Sequence, residues 1–334
     1  MKDFAGKIAF ITGGASGAGF GQAQIFSEAG MKVVIADVRE DLLDEARSYF
    51  KEKKADVHAV KLDVMDREGY KKAADEVERV YGSPPDLLIM TAGVNVFGPA
   101  EASTHEDFEW VVGVCFWGVV NGLIEFVPRM IKAGKGGHIT ATVSWGAFGA
   151  DAVTAPYRAA KAAVLNLMES YYLAMKPYGI EVSALCPANI KTRIYETAIK
   201  TRPDHLKNTG YNVDEQTQEH FAMIQQHGMD PRFLAGLHKD GIMSGQFLII
   251  PYPSGPRMVE IEFERFAHYA SAEGTRLMDE RRLLPPSEEQ LRMMSEREGY
   301  EISPDTPDIL FSDPGFAKAK KGIDWVDESK KVVT

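Results

Sequence analysis

A tyrosine and a lysine four residues apart, Tyr157 and Lys161, could act together in proton transfer. They lie in an alanine-rich run, residues 157–175, that predicts a helix. Side chains four apart share one helix face, so the hydroxyl and the ammonium would be neighbours. A phenol ordinarily has a pKa of about 10, and a nearby cation that favours the phenolate would let it exchange protons near neutral pH. The pair suggests a general acid/base, although the same spacing also occurs in ordinary surface or core pairs.

A glycine-rich turn follows the first apolar strand and opens an amphipathic helix. Such a turn directs free backbone N–H groups and the positive end of a helix dipole at one point, which suits a pyrophosphate. The glycines are spaced GxxxGxG, which differs from the GxGxxG dinucleotide fingerprint. A plain tight turn is the alternative. The predicted phosphate-binding residues are Gly13, Ser16, Gly17, Ala18 and Gly19.

Carboxylates stand at the ends of the next two apolar strands. Asp37 could accept hydrogen bonds from both ribose hydroxyls and would repel a 2′-phosphate, which favours NAD over NADP. Arg39, two residues later, argues in the opposite direction. Asp63 and the backbone of Val64 could meet an adenine, but Asp63 could equally be the N-cap of the following helix.

Four further strands are predicted at residues 86–91, 137–143, 180–185 and 246–250, with His138 entering the second of these. Strands that alternate with helices predict an α/β fold, a doubly wound seven-stranded parallel sheet with helices on both faces. Ligands of such sheets bind outside the carboxyl ends of the strands. Six candidate contacts follow strands and should therefore share one edge: Gly13, Asp37, Asp63, Gly93, Ser144 and Pro187.

The sequence predicts where the helix before the fifth strand begins and whether it is buried. Ser103 and Glu106 have the spacing of a capping box, which predicts where the helix begins. The apolar stretch 110–128 is interrupted by polar residues and glycines and ends at Pro128, so we expect a buried helix and not a membrane span.

The composition excludes several classes of partner. The chain has 334 residues, 45% of them hydrophobic, and a net charge of −10, so neither nucleic acid nor a membrane surface is expected as a partner. Neither Cys115 nor Cys186 has a disulfide or metal-ligand pattern, and a cytoplasmic location fits. No metal is expected; His220 and His227 are typical of a solvated helix face. The N-terminus predicts no signal peptide.

Taken together, these motifs resemble the short-chain dehydrogenase/reductase family over roughly residues 3–265. The resemblance implies a Rossmann-type catalytic domain and reversible oxidation of a secondary alcohol to a ketone with NAD. It assigns Tyr157 as acid/base, Lys161 as the cation that lowers the phenol pKa and holds the nicotinamide ribose, and Ser144 as the donor to the substrate oxygen. The remaining cofactor contacts that it implies are Ala92, Gly93, Pro187, Ile190 and Thr192.

Within that family the chain is similar to bacterial NAD-dependent Cα-dehydrogenases that oxidise the benzylic alcohol of lignin-derived aryl ethers. The glycine loop, the 91–95 segment and the 250–253 segment carry this likeness. It departs from the family at three positions. Thr91 stands where Asn is usual, Ala188 where Gly is usual, and Cys115 replaces the helix asparagine that holds a water in the proton relay. Cys115 could also be only a small buried residue.

The predicted substrate pocket contains Asn95, Phe97, Trp145 and Phe148, with residues 189–240 closing over it. These aromatic walls favour a bulky, apolar or benzylic alcohol, although such residues near strand ends are often core. We expect a catalytic domain at 1–265, a helical or irregular extension at 266–334, and a homodimer or homotetramer as the resemblance implies. Two alternatives remain: a weakly active NAD-binding sensor or scaffold, and a dehydrogenase of ketoacyl thioesters or steroids.

Overall fold

The computed structural model of the protein describes residues 1–211, 219, 222–223 and 225–276. Seven parallel strands form one sheet in the order β3-β2-β1-β4-β5-β6-β7. The strand order reverses between β1 and β4, which is where doubly wound sheets bind ligands. The predicted fold is confirmed. The strands are β1 Ile8–Thr12, β2 Lys32–Asp37, β3 Val57–Lys61, β4 Leu87–Met90, β5 Gly137–Thr142, β6 Ile180–Leu185 and β7 Leu248–Ile249.

Helices cover the sheet on both faces because the chain crosses over between parallel strands. One layer pairs α1 with α8, and the other pairs α3 with α5 and α4 with α6. Strands β1 and β4 are buried along their whole length, which explains their uninterrupted apolar sequence. The helices of the described residues are α1 Gly17–Glu28, α2 Glu40–Glu52, α3 Arg67–Tyr81, α4 His105–Val112, α5 Gly118–Ala133, α6 Ala155–Ala174, α7 Thr197–Lys200, α8 Pro231–Ser244 and α9 Gly255–Tyr269.

The helix before β5 begins one residue later than predicted. Thr104, not Ser103, is its N-cap: the Thr104 side chain accepts from the Asp107 N–H, and the Asp107 carboxylate accepts from the Thr104 N–H. The hydroxyl of Ser103 is used elsewhere, donating to the Ala100 carbonyl of the preceding turn. The predicted Ser103 and Glu106 box is therefore wrong by one position.

The same helix continues past Pro128, where the apolar stretch ends. A π-helical turn, Gly113–Trp117, joins α4 to α5, and Pro128 lies inside α5. A proline inside a helix costs about 3 kcal/mol, but α5 is buried on both sides of it through Leu123 and Met130, and that burial opposes the cost. Among the described residues, His105–Ala133 is the one helix long and apolar enough to cross a membrane. With 61% of its apolar window buried, it has the character of a core helix.

The chain divides into two compact units, Met1–Gly255 and Pro256–Thr334. The boundary that we predicted at residue 265 falls within α9 and stays a prediction. Most of the predicted extension, residues 277–334, lies outside the described residues, as does His220 of the predicted histidine pair.

Candidate active site

One cavity of about 210 Å³ runs along the carboxyl edge of the sheet. The loops after β1 to β6 all contribute to it, as expected where parallel strands end together. It brings together every residue for which the sequence predicted a cofactor or catalytic role: Gly13, Ser16, Gly17, Ala18, Gly19, Asp37, Asp63, Val64, Ala92, Gly93, Ser144, Tyr157, Lys161, Pro187, Ile190 and Thr192.

The turn between β1 and α1 needs glycine at specific positions. Gly13 has a φ of +66°, and a Cβ on Gly19 would lie 2.1 Å from the Gly13 carbonyl oxygen. The backbone therefore folds closely on itself and turns the N-terminus of α1 toward the cavity. Ser16, the N-cap, makes no side-chain capping bond. Free amides and the positive helix end fit the phosphates of a dinucleotide.

Asp37, at the end of β2, is held by the backbone. Its two carboxylate oxygens accept from the N–H groups of Ala15 at 3.3 Å and Arg39 at 3.1 Å. Burial raises the pKa of Asp37 above its ordinary value, and these amide bonds oppose that rise. The carboxylate faces the part of the cavity beside the glycine turn.

The guanidinium of Arg39 also borders the cavity but is paired with a carboxylate. Its Nε donates to Asp41 Oδ1 at 2.7 Å, and its Nη2 bonds the other oxygen of Asp41. The hydrogen bond to Arg39 lowers the pKa of Asp41 to about 2. Arg39 is thus engaged by a fork-shaped ion pair before any ligand binds.

Asp63 is not the N-cap of the next helix. Helix α3 begins at Arg67 with Asp66 as its N-cap. Asp63 Oδ1 instead accepts from the Met65 N–H at 2.9 Å and turns the chain at the cavity wall. The structural alternative that we weighed for Asp63 is therefore wrong, while its predicted contact with an adenine stays a prediction.

Tyr157 and Lys161 lie on α6, one turn apart, as the spacing predicted. The ammonium of Lys161 lies 5.6 Å from the centroid of the Tyr157 ring. It is 3% exposed and donates to the Thr142 carbonyl oxygen at the end of β5, at 2.7 Å. This bond fixes the charge beside the phenol.

Ser144 follows β5 and lies near the same phenol. Its hydroxyl accepts from the Gly146 N–H at 3.0 Å. A Cβ built on Gly146 would be 3.3 Å from Ser144 Oγ and 3.8 Å from Tyr157 Cε1, so both side chains flank this glycine. A hydroxyl, a phenol and an ammonium thus meet in one part of the cavity.

Cys115 is fully buried in the π-helical turn and does more than fill space. Its Sγ lies 3.4 Å from the Val94 nitrogen and 3.3 Å from the Val94 oxygen, so it pairs with both backbone groups of that residue. Burial raises the pKa of the thiol, which keeps it protonated, while the charge of Lys161 opposes the rise. Cys115 therefore fastens α4 and α5 to the loop after β4.

A chain of hydrogen bonds beside the cavity includes Thr91, which stands where the resembling family usually has asparagine. The Thr91 hydroxyl lies 2.7 Å from both Gln22 Oε1 and Thr142 Oγ1. Gln22 Nε2 is 3.1 Å from His238 Nδ1. These bonds connect α1, β4, β5 and α8. The sequence did not indicate a structural role for Gln22 or His238, because the hydrogen-bond partners of both side chains lie far away along the chain.

The structure adds cavity residues that sequence reasoning missed and leaves out four that it named. Asn95, Phe97, Trp145 and Phe148 do not line this cavity. The Asn95 side chain accepts from the Val96 N–H, and the Trp145 ring packs on Phe148 with centroids 5.2 Å apart. Their assignment to a substrate pocket stays a prediction. The added cavity residues include Trp110, Val114, Ile194, Thr197, Thr201 and Pro203.

Known proteins share both this sequence and this fold. A family model of short chain dehydrogenases matches residues 7–203. The C alpha-dehydrogenase of Sphingobium sp. strain SYK-6 is 48% identical over 264 residues, which cover 79% of this chain and 86% of that protein.

Solved structures of related proteins have the same fold. The apo form of LigD from the same Sphingobium strain is similar with a TM-score of 0.67 at 43% identity, over 79% of this chain and 97% of that chain. A short chain dehydrogenase/reductase from Burkholderia phymatum, in complex with NAD, gives a TM-score of 0.74 at 30% identity, over 80% and 96%. The chain therefore belongs to the short-chain dehydrogenase/reductase family of oxidoreductases.

Proposed function

We propose that the protein interconverts a secondary alcohol and its ketone with NAD, using Tyr157 as the acid/base. The observation that carries the proposal is one continuous cavity. The glycine turn and Asp37 border it over β1 and β2, and Ser144, Tyr157 and Lys161 border it over β5. The separation of phosphate-type and proton-transfer groups along one cleft suits a dinucleotide that lies with its reactive ring beside the alcohol.

The residues present fit NAD. The amides at the start of α1 would hold the pyrophosphate, and the Asp37 carboxylate would accept from the adenosine ribose hydroxyls. The 2′-phosphate of NADP would meet that carboxylate and would have to displace Asp41 from Arg39. NAD bound to a structure similar in fold supports the same choice. When bound, the nicotinamide takes up or gives the hydride of the reaction.

Side chains of the protein transfer the hydroxyl proton of the alcohol and orient its oxygen. In the direction of alcohol oxidation, Ser144 donates to the alcohol oxygen and orients it, while Tyr157 as phenolate removes the hydroxyl proton. Lys161 supplies a fixed positive charge beside the phenol, because its ammonium is buried, bonded to Thr142 and 5.6 Å from the ring. In ketone reduction the same phenol returns the proton.

A bulky, apolar or benzylic alcohol is the substrate that we favour. Support comes from the apolar side chains of the cavity lining, which include Val94, Trp110, Val114, Ile194 and Pro203. Apolar and aromatic walls bind aromatic groups with few charges. A relative that is 48% identical carries the name C alpha-dehydrogenase, which agrees with the oxidation of an alcohol at a Cα carbon.

NAD reduction over a panel of aryl and aliphatic secondary alcohols, ketoacyl thioesters and steroids tests the proposal. We expect turnover with aryl alcohols, and Tyr157→Phe should lower kcat by about 10²- to 10⁴-fold while NADH binding, followed by fluorescence, is retained. Tyr171→Phe, on the same helix, is the matched control. NADH binding without turnover of any panel member would support the sensor alternative instead, and full activity of Tyr157→Phe would refute the assignment of the base.

A further inference from the structure

The segment after β6 contributes side chains to the cavity lining, and its residues Ala198 and Leu206 pack in one cluster with Trp110, against which Tyr157 also packs. Ile194, Thr197, Thr201 and Pro203 of this segment face the cavity, and Arg202 lies between the last two. Side chains of a loop define a binding site only when the loop itself is held in place. Arg202 is the residue of this segment whose contacts can hold it in place.

Arg202 points away from the cavity into the protein, and its side chain is 2% exposed. All three nitrogens of its guanidinium are used. Nη1 donates to Asp107 Oδ1 at 2.7 Å, Nη2 donates to the Asn208 carbonyl at 3.2 Å, and Nε donates to the Leu206 carbonyl. One side chain thus joins two carbonyls of its own segment to a carboxylate on α4.

Asp107 is equally buried and is held from the other side. Its second oxygen, Oδ2, accepts from the Thr104 N–H at 2.9 Å as part of the helix cap. The Arg202 guanidinium also lies over the ring of Trp110, 5.3 Å from the centroid. Trp110 itself borders the cavity. The pair of Arg202 and Asp107 therefore contacts both sides of the substrate region, which are the segment after β6 and Trp110 on α4.

A buried ion pair adds little net stability, because the loss of hydration roughly offsets the attraction between the charges. It does impose geometry: the guanidinium is a planar fork whose donors can satisfy three acceptors only in one arrangement. The contacts of Arg202 determine where Thr201 and Pro203 lie relative to Trp110. This favours a role in shaping the site over a role in stability alone.

The cofactor side of the same stretch has a separate anchor. Lys191 N–H donates to the Met229 carbonyl at 2.9 Å, and Met229 N–H donates to the Asn189 carbonyl at 3.0 Å. Ile190 and Thr192, the predicted nicotinamide contacts, are thus positioned by Met229. A change at Arg202 should then disturb the substrate wall and leave the cofactor contacts in place.

We propose that Arg202 and Asp107 are positioning residues that hold the 194–206 wall and Trp110 at the spacing required by the substrate. The proposal rests on the proposed alcohol dehydrogenase function. Neither residue touches the reacting atoms. Their effect is to fix the shape of the substrate region before the alcohol enters.

The test compares Arg202→Lys with wild type. Lysine keeps the charge near Asp107 but cannot reach three acceptors at once. We expect KM for the best aryl alcohol to rise about tenfold or more, which corresponds to about 1.4 kcal/mol, with kcat changed by less than about threefold and the NADH dissociation constant unchanged. Lys207→Met, which breaks an exposed ion pair with Asp204 on the same segment, is the control and should behave as wild type.

Two results would overturn the proposal. One is a lower melting temperature with unchanged KM, which a purely structural pair would give. The other is an equal loss of NADH affinity, which would place the segment at the cofactor end. Asp107→Asn, which keeps the acceptor for Thr104 but removes the charge, should show the same selective rise in KM if the lysine variant does not fold.

Amide hydrogen exchange provides a measurement that does not depend on activity. In the wild-type protein the amides of residues 201–208 should be protected, and in Arg202→Lys they should exchange faster while those of 189–191 do not change. Unprotected wild-type amides would refute the anchor. If wild type binds NADH but turns over no alcohol, the proposed function fails and the exchange data still decide whether Arg202 anchors the wall.

Discussion

His238 lies at the buried end of the hydrogen-bond chain below the active site. Its Nδ1 is 3.1 Å from Gln22 Nε2, and its Nε2 is 3.0 Å from Thr140 Oγ1. Because Gln22 Oε1 is the partner of the Thr91 hydroxyl, the Gln22 amide must present its NH₂ group to His238. Nδ1 is then the acceptor and Nε2–H the donor. This arrangement accepts only the neutral imidazole.

Burial, together with the charge of His138, lowers the pKa of His238 to about 3. The unfolded chain would bind a proton below its ordinary pKa of 6.5, while the folded protein would not. Stability is therefore complete above pH 6.5 and is lost as the pH falls from 6.5 toward 3, by up to about 1.4 kcal/mol per pH unit.

We predict that His238→Gln removes this part of the acid sensitivity. The free energy of unfolding in urea, measured from pH 7 to pH 5, should fall less steeply in the variant than in wild type. His105→Gln, which alters an exposed histidine, should keep the wild-type slope. Equal slopes for wild type and His238→Gln would show that the imidazole is not held neutral.

At the scale of elements, the active site depends on where strands end and helices begin. The turn from β1 into α1 is compact because Gly19 packs directly on the Gly13 carbonyl. The π-helical turn between α4 and α5 places Cys115 against Val94, and α6 carries the proposed catalytic pair, Tyr157 and Lys161. Each of these elements supplies one part of the cavity wall, so a local backbone change should disturb one function at a time.

A prediction at this scale concerns Gly19→Ala. A Cβ at Gly19 would lie 2.1 Å from a backbone oxygen, so the turn must open and the amides move away from the phosphates. We expect NADH affinity to fall by about tenfold or more, as one lost charge-assisted bond already costs about 1.5–3 kcal/mol.

Gly236→Ala on α8 is the matched control, since a Cβ there meets nothing within 4 Å. It should retain NADH affinity and raise the melting temperature, because alanine stabilises a helix by about 0.8–1 kcal/mol relative to glycine. Undiminished affinity of the Gly19→Ala protein would contradict the assignment of this turn to the phosphates.

At the scale of the molecule, α5 and α6 leave large apolar side chains exposed. Trp117, the last residue of the π-helical turn, and Ile124, seven residues later on α5, are 46% and 63% exposed, and Leu173 on α6 is 63% exposed. An apolar surface of this kind suits a contact between identical chains related by a two-fold axis. The predicted dimer or tetramer would use this face.

We therefore predict that the combined change Ile124→Glu and Leu173→Glu yields monomers, because buried unpaired charges oppose association. Sedimentation equilibrium should give a multiple of the chain mass for wild type and a single chain mass for the variant. Lys51→Glu on α2, which adds the same acidic residue elsewhere, should keep the wild-type mass. A monomeric wild-type protein at micromolar concentration would refute this interface.

The sequence alone determined the parts of the site that depend on local geometry. Helix periodicity is enough to place Tyr157 beside Lys161, and the parallel order of the strands is enough to bring Gly13, Asp37 and Ser144 to one edge. These predictions hold because the spacing of residues along one helix or at the end of one strand needs no information from the rest of the chain.

Only the tertiary structure decided the contacts between distant segments. Sequence could not pair Arg202 with Asp107 or Gln22 with His238, nor show that Trp145 packs on Phe148 away from the cavity. The shift of the helix cap to Thr104 has the same origin, because Ser103 bonds to the turn before it. Which polar groups meet, and which way a loop side chain faces, follow from the burial and packing of elements far apart in sequence.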